Sequence, residues 1–232
     1  WLAVSFKVPE PTHVEGTVLG VDLGVRRTAT TSEGFVVHDK DFLARKRRLR
    51  HKKRKLQSAV KGKKSHSAKQ KLKKLRHREQ NSNKQYCELV ANEILKTDCD
   101  TVVLEDLSSL KKSKLGKNAQ NSRSSRNMLA QVPFWLLLHI LSYKAPLKGK
   151  RVETVDPAYT SKNDYRGVQK GRRRGCRYYT SDGIVFDADQ NAAINIAARH
   201  ADKMNPKRPV SHNTPLDGAL CFSGRLPSTS QS

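Results

Sequence analysis

Apolar positions alternate with small or charged ones along residues 17–25, and this period of two predicts a buried β-strand. Leu19, Val21 and Leu23 would point to one side of the strand, because successive side chains point to opposite faces. The other side would present Asp22 between two glycines, which let a bulky ligand approach the carboxylate and the backbone. A carboxylate in an apolar strand is costly unless it is paired or binds a metal ion. On this segment alone, Asp22 is equally well explained as the cap of a following turn.

Further segments with a period of two predict the rest of a sheet. Two short strands at residues 27–31 and 34–38 would follow the first strand, so that the sheet would begin with three antiparallel strands. Residues 101–107 would form a later buried strand, with Glu105 on the face that also carries its first and third residues. Residues 150–155 are expected to form one more strand.

Two apolar segments repeat with helical spacing, which makes the predicted fold α/β. Residues 133–144 are expected to form an apolar helix with Trp135 in the core. Residues 188–199 are expected to form a second helix, preceded by Asp187 and carrying Asp189 in its first turn. Acidic residues are favoured at this end of a helix by capping and by the helix dipole.

A strongly basic segment lies between the first strands and the later ones. Residues 45–78 contain 18 Lys or Arg and no acid, and Gly62 and Ser65 predict a break between two helices of a hairpin over residues 44–97. Most charge runs are solvated helix faces, but like charges at this density repel unless something neutralises them, which favours contact with phosphates. The candidate nucleic-acid-binding residues are Arg45, Arg47, Arg48, Arg50, Lys52, Lys53, Arg54, Lys63, Lys64, Lys71, Lys74 and Arg78.

The composition indicates a polyanionic partner. The 232 residues include 46 Lys and Arg against 21 Asp and Glu, a formal net charge of +25. No apolar run approaches membrane-spanning length, and no secretory signal precedes the first strand, so we expect no membrane partner. The chain does not begin with Met, which suggests a longer or truncated reading frame. Four scattered cysteines indicate a reducing compartment, so nucleic acid in the cytoplasm or nucleoid is the expected partner.

Three acidic positions could form one site. Neighbouring strands would place Asp22 beside Glu105, with the start of the helix at 188–199 laid across them. Such a cluster would repel itself unless divalent cations neutralised it, and Mg²⁺ prefers a few carboxylates together with phosphate oxygens and water. Two such ions about 4 Å apart can hydrolyse a phosphodiester. Taken singly, each acid also has an ordinary explanation as a turn, a strand end or a helix cap.

Four motifs taken together resemble the TnpB (OrfB) family of transposon-associated, RNA-guided DNA endonucleases. They are Gly-Val-Asp-Leu-Gly-Val at 20–25, Val-Leu-Glu-Asp-Leu at 103–107, Val-Asp-Pro-Ala-Tyr-Thr-Ser at 155–161 and Asp-Ala-Asp-Gln-Asn-Ala-Ala-Ile-Asn-Ile at 187–196. The family is related to type V CRISPR effectors and to the eukaryotic Fanzor proteins. The resemblance extends over residues 1–199.

The resemblance implies an RNase H-like fold with a RuvC-like nuclease core over residues 15–159, completed by a final helix at 187–200. It implies that Asp22, Glu105 and Asp189 are the catalytic residues and the ligands of Mg²⁺ or Mn²⁺. Asp189 is preferred to Asp187 because it directly precedes the Gln-Asn-Ala-Ala segment. It also implies a guide RNA and a DNA target as partners.

The chain departs from the family pattern in two places. Residues 1–8 would be only the last strand of an amino-terminal wedge domain. At the four cysteine positions of the family's zinc ribbon the chain has Asp164, Gly167, Tyr179 and Asp182, and Gly and Tyr are not ordinary zinc ligands. We therefore expect no zinc, below about one-tenth of an equivalent. Residues 160–186 would be a degenerate zinc-ribbon insertion without its own core, poorly ordered or held by its tyrosines, and residues 203–232 a disordered tail.

Three other functions are compatible with parts of this pattern. A truncated family member could bind nucleic acid without cutting it, guide-dependently or nonspecifically. An actin-like ATPase also has a Gly-x-Asp-x-Gly strand, but the chain is short for two such domains and lacks a second glycine-rich phosphate loop. A strand-transferring transposase also uses acidic triads on this fold, although the motifs favour the accessory nuclease family.

Overall fold

The structure is a computed structural model that describes residues 7, 16–38, 40–63, 65–106, 133–156, 163–166 and 171–204. Predictions made above for Lys64, Gly167 and residues 1–6, 8, 107, 157–162, 168–170 and 205–232 lie outside the described residues. The tail predicted from residue 203 is wrong at its first two positions, because the last helix continues to Met204. The strands are β1 (Val18–Asp22), β2 (Ala29–Thr31), β3 (Val36–Val37), β4 (Thr101–Glu105), β5 (Arg151–Val155), β6 (Arg172–Arg174), β7 (Arg177–Tyr179) and β8 (Val185–Asp187). The helices are α1 (Lys40–Lys63), α2 (His66–Ile94), α3 (Phe134–Leu147) and α4 (Ala188–Met204).

A five-stranded mixed sheet forms the centre of this α/β fold. Its strand order is β3-β2-β1-β4-β5, with β1, β4 and β5 parallel and β2 and β3 antiparallel to their neighbours. The antiparallel start predicted from the sequence is confirmed, although β2 and β3 are shorter than expected. The parallel neighbours β1 and β4 end at the same edge of the sheet.

The two faces of the sheet are covered by different helices. Leu19 and Val21 of β1 belong to a buried cluster with Val102 and Leu104 of β4 and with apolar side chains of α2 and α3. On the opposite face, a smaller cluster contains residues of β4 and β5 together with Ile196 of α4. The predicted alternation along β1 and β4 is therefore confirmed, and it places α4 on the face that carries Asp22 and Glu105.

Helix α4 approaches the backbone of β1 at Gly20. A Cβ atom at Gly20 would lie 2.0 Å from the carbonyl oxygen of Ala193 and 2.8 Å from the amide nitrogen of Ala197. Both neighbours are backbone atoms of the helix, so only glycine permits this packing. The glycine of the first motif thus determines how closely the helix that carries Asp189 lies on the strand that carries Asp22.

Helices α1 and α2 form the predicted basic hairpin. The Ser65 hydroxyl caps α2 by accepting a hydrogen bond from the amide of Ala68 at 3.3 Å, which confirms the predicted break. Glu79, just beyond the acid-free run, joins the two helices. Its carboxylate accepts from Lys46 at 3.1 Å and from Lys53 at 2.9 Å, and the Lys46 side chain is only 7% exposed.

Strands β6, β7 and β8 form a separate three-stranded antiparallel sheet. Tyr178 of this sheet is fully buried, and its ring stacks on Phe186 with the centroids 5.3 Å apart. The prediction that this segment lacks its own core was therefore wrong for the described residues. The reason is that two aromatic rings on adjacent strands supply a small core that a search for aliphatic periodicity misses.

Helix α3 ends three residues later than predicted, and one of its residues is placed differently. Trp135 is 69% exposed rather than buried, and its ring stacks on His139 one turn later. The buried face of α3 consists of aliphatic residues, which already fill the space against the sheet: Leu137, Ile140, Leu141 and Ala145. Over the part of the chain that the structure describes, none of the helices is both long and apolar enough to cross a membrane.

Candidate active site

Three carboxylates meet where β1 and β4 end. Asp22 and Glu105 are the last residues of these parallel neighbours, and each directly follows one member of the register pair Val21–Leu104. Asp189 lies in the first turn of α4, which packs on the same face of the sheet. The sequence predicted that these three elements would be neighbours, and the structure confirms their placement. That the three side chains form one metal site stays a prediction.

The charges of these carboxylates interact. The pKa of Asp22 is raised from 3.8 to about 7, first because burial disfavours the charged carboxylate and then because Glu105 and Asp189 repel it. The positive charge of Arg173 and a hydrogen bond from the amide of Leu23 oppose this rise. Burial and the neighbouring negative charges therefore make the ionised form of Asp22 unfavourable.

Asp189 binds two arginines that the sequence analysis did not identify. Arg173 Nη2 lies 2.6 Å from Asp189 Oδ1, and Arg27 Nη1 lies 3.5 Å from Asp189 Oδ2. The Asp189 side chain is 15% exposed. Within the described ranges, no group of three or more His, Cys, Asp or Glu side chains is arranged so that it could hold a metal ion. Both oxygens of the proposed third ligand are turned to guanidinium groups instead.

Asp187 has the capping role predicted for it. Its Oδ1 accepts hydrogen bonds from the amides of Asp189 at 3.0 Å and Gln190 at 3.1 Å. Amides in the first turn of a helix have no acceptor within the helix, so the Asp187 side chain supplies one. Its Oδ2 accepts from Arg27 Nη1 at 2.5 Å. Because one carboxylate binds both the helix start and the loop after β1, Asp187 fixes the first turn of α4 relative to that loop.

The predicted phosphate-binding residues lie on the hairpin of α1 and α2, and most of their side chains are exposed. Lys53 is an exception, because it is half-buried and ion-paired with Glu79. Arg50 is also partly buried, and the Lys63 side chain lies outside the described part of the structure. The exposed candidates are Arg45, Arg47, Arg48, Lys52, Arg54, Lys71, Lys74 and Arg78.

The residues at two of the degenerate zinc positions bind one guanidinium group. Arg166 donates from Nη2 to Asp164 at 2.7 Å and from Nη1 to Asp182 at 3.0 Å. Asp164 is 4% exposed, and Arg166 together with Thr180 lowers the pKa of Asp182 to about 2. Tyr179 ends β7. An arginine therefore joins two carboxylates at positions that the resemblance aligned with zinc-ribbon cysteines.

We expect Arg166→Ala to loosen the small sheet, because it leaves the buried Asp164 carboxylate without its guanidinium partner. Amide hydrogen exchange in β6 and β7 should become at least about tenfold faster, since hydrogen bonds between charged groups contribute more than neutral ones. Exchange in β1 and β4 should not change. Arg174→Ala, which removes an exposed arginine of β6, is the matched control. Unchanged exchange in Arg166→Ala, or stoichiometric zinc in the purified chain by elemental analysis, would contradict this account.

Two family models match the chain. Residues 2–115 match OrfB_IS605, described as "Probable transposase". Residues 134–196 match "Cas12f1-like, TNB domain". Together they include all three carboxylates of the candidate site.

Curated proteins and solved structures agree with these matches. The chain is 30% identical over 216 residues to "Putative RNA-guided DNA endonuclease InsQ" of Escherichia coli (strain K12), covering 84% of this chain and 52% of that protein. It is 29% identical over 130 residues to "CRISPR-associated endodeoxyribonuclease Cas12f1" of Sulfoacidibacillus thermotolerans, covering 53% of this chain and 28% of that protein. The fold is similar to that of a chain in "Cryo-EM structure of the Cas12f1-sgRNA-target DNA complex", with a TM-score of 0.57 and 20% sequence identity. The match covers 84% of this chain and 52% of that chain.

The chain thus spans about half of the length of the Escherichia coli relative and less of the other one. The first family model covers the Gly-x-Asp-x-Gly strand and the strand of Glu105, and the second covers the start of the final helix with Asp189. On this evidence, the chain belongs to the TnpB (OrfB) family.

Proposed function

We propose that this chain is the RuvC-like catalytic part of an RNA-guided DNA endonuclease of the TnpB type. The observation that carries the proposal is the convergence of Asp22, Glu105 and Asp189 at one edge of the central sheet. The mixed sheet with three parallel strands, two antiparallel strands and a final helix on the carboxylate face supports an RNase H-like core.

The donor set suits Mg²⁺ or Mn²⁺, because carboxylate oxygens are the ligands that hard divalent cations prefer. The repulsion that raises the pKa of Asp22 is what such cations would relieve. When bound, two ions would activate a water molecule and stabilise the leaving oxygen of phosphodiester hydrolysis. Asp22 and Glu105 would hold the ions from strand ends, and Asp189 from the first turn of α4.

The chain's own residues supply the rigidity that such a site needs. Hydrogen bonds between parallel strands fix the ends of β1 and β4 relative to each other. Asp187 fixes the first turn of α4 through its two amide contacts and its ion pair with Arg27. The exposed arginines and lysines of α1 and α2 would bind the phosphates of guide RNA or target DNA, because they form a dense positive face beside the core.

A second candidate function is that of a non-cleaving nucleic-acid-binding remnant. The observations that favour it are the two arginines on Asp189 and the limited share of its relatives that this chain spans. The basic hairpin would bind nucleic-acid phosphates in both cases. The retention of all three acids favours the endonuclease.

Sequencing the nucleic acid that copurifies with the chain tests the proposal. We expect one discrete RNA that maps beside the gene, because a family member that uses a guide should retain it through purification. The complementary measurement is a salt titration of the bound nucleic acid. A heterogeneous mixture that is lost at about 0.5 M salt, as counterion release predicts, would support the nonspecific remnant instead.

A further inference from the structure

The ion pairs of Asp189 differ in how firmly the two arginines are held elsewhere. Arg27 Nη1 lies closer to Asp187, at 2.5 Å, than to Asp189, at 3.5 Å. Arg173 makes its shortest contact with Asp189 itself, at 2.6 Å, and its Nε donates to the carbonyl of Gly175 at 3.1 Å. Arg27 therefore belongs chiefly to the helix cap, whereas Arg173 binds the proposed metal ligand directly.

Arg173 reaches the site from the small sheet rather than from the nuclease core. It is the middle residue of β6, and Gly175, whose carbonyl it binds, is in the turn before β7. Gly175 has a φ of 62°, a backbone conformation that glycine adopts without strain. The hydrogen bond to Gly175 therefore holds the guanidinium group of Arg173 against the hairpin turn, and from there the group contacts the Asp189 carboxylate.

A positive charge at this place offsets part of the repulsion among the carboxylates when no cation is present. Three acids meet where burial is considerable, and Arg173 is among the groups that favour the charged form of Asp22. A divalent cation bound to Asp189 would lie close to the guanidinium group that Arg173 places 2.6 Å from Oδ1, and the two positive groups would repel at that distance. The guanidinium group and the cation thus compete for the same carboxylate.

We propose that Arg173 is an internal counter-ion of the metal site, which occupies Asp189 in the metal-free chain and has to leave it before a divalent cation can bind. This inference rests on the proposed function, because it takes Asp189 as a metal ligand. Arg27 stays on Asp187 during the exchange and keeps the start of α4 in place. Metal binding is then coupled to a rearrangement of the β6–β7 hairpin.

The test is a calorimetric titration of the nucleic-acid-free chain with Mn²⁺. Arg173→Ala should bind Mn²⁺ about three- to tenfold more tightly than the unmodified chain, the size expected for the loss of a half-exposed ion pair. The matched control is Arg174→Ala, which removes the same charge from the next position of the same strand and should bind like the unmodified chain. Asp189→Asn provides the background of Mn²⁺ binding elsewhere.

The outcomes separate the two proposals. If the unmodified chain, Arg173→Ala and Asp189→Asn all bind Mn²⁺ alike, the proposed metal site itself is wrong. If Asp189→Asn loses Mn²⁺ but Arg173→Ala binds no more tightly than Arg174→Ala, the metal site stands and the counter-ion role of Arg173 is refuted. Hydrogen exchange over residues 171–179 gives a second measurement: Mg²⁺ should accelerate it in the unmodified chain but not in Asp189→Asn, and equal exchange with and without Mg²⁺ would refute the coupled rearrangement.

Discussion

Asp22→Asn should make the metal-free chain more stable and, at the same time, abolish the Mg²⁺-dependent DNA cleavage that we propose for it. The substitution keeps the shape of the side chain but removes a charge that burial and two neighbouring carboxylates disfavour. The rise in pKa from 3.8 to about 7 corresponds to an upper bound of about 4 kcal/mol, and we expect a gain of roughly 2 kcal/mol in the free energy of unfolding near neutral pH. Cleavage should fall by more than about a hundredfold, since even residues that only orient metal ligands are worth 10- to 100-fold.

The stability gain should depend on pH in a defined direction. A carboxyl group whose pKa is raised in the folded chain binds its proton more tightly there than in the unfolded chain, so its ionisation reduces stability as the pH rises. Below about pH 4 the Asp22 side chain is protonated in both states, and the two proteins should differ little. The difference should grow between about pH 4 and pH 7 and remain constant above.

Urea unfolding of both proteins across this pH range, without divalent ions, measures the effect. Asp98→Asn serves as the matched control, because it removes the same charge from an exposed position. Cleavage is assayed on plasmid DNA with the nucleic acid that copurifies. A less stable Asp22→Asn would mean that the three carboxylates do not converge as described, whereas undiminished cleavage would show that the proposed site is not the catalytic one.

Gly20→Ala is expected to destabilise the chain by about 3 kcal/mol or more, the upper part of the range for overpacked cores. The added methyl group would overlap with the carbonyl oxygen of Ala193 and the amide of Ala197, and backbone atoms of a helix cannot rotate away as a side chain can. Helix α4 would have to move off β1, and Asp189 would move away from Asp22 with it. Urea unfolding and circular dichroism measure the loss.

The same substitution at Gly62 is a matched control. Gly62 lies in α1, and a Cβ atom there would meet nothing within 4 Å. Alanine should therefore stabilise the helix by up to about 1 kcal/mol, because it is the better helix former. If both substitutions changed stability equally, the close contact of α4 with β1 would not be what requires glycine at position 20.

The features that the sequence predicts well are those with a local pattern. A period of two assigned the faces of β1 and β4, and two parallel strands then had to end with Asp22 and Glu105 at one edge. The capping role of Asp187 also follows from its position directly before a strongly periodic helix. The positions of these acids could be predicted because Asp22 and Glu105 each end a strand and Asp189 lies in the first turn of a helix.

The features that the sequence does not predict depend on contacts between distant residues. Arg27 and Asp187 are 160 positions apart, and nothing in the local pattern around Arg27 indicates its partner. Arg173 stands among several arginines, and only the geometry of the β6–β7 hairpin separates it from its neighbours. The exposure of Trp135 likewise depends on which side of α3 meets the sheet, because α3 is apolar on more than one side.

The packing of α4 on Gly20 also orders events during protein synthesis. Strand β1 is made early, but Ala193, which covers it, is translated 173 positions later. At about 5 to 20 residues per second, this delay is roughly 10 to 35 s. The second helix of the basic hairpin ends at Ile94, so the hairpin is complete well before Ala193 is translated and before the three acids can meet. A ribosome-bound chain would therefore expose the hairpin proposed to bind phosphates before its candidate site is assembled.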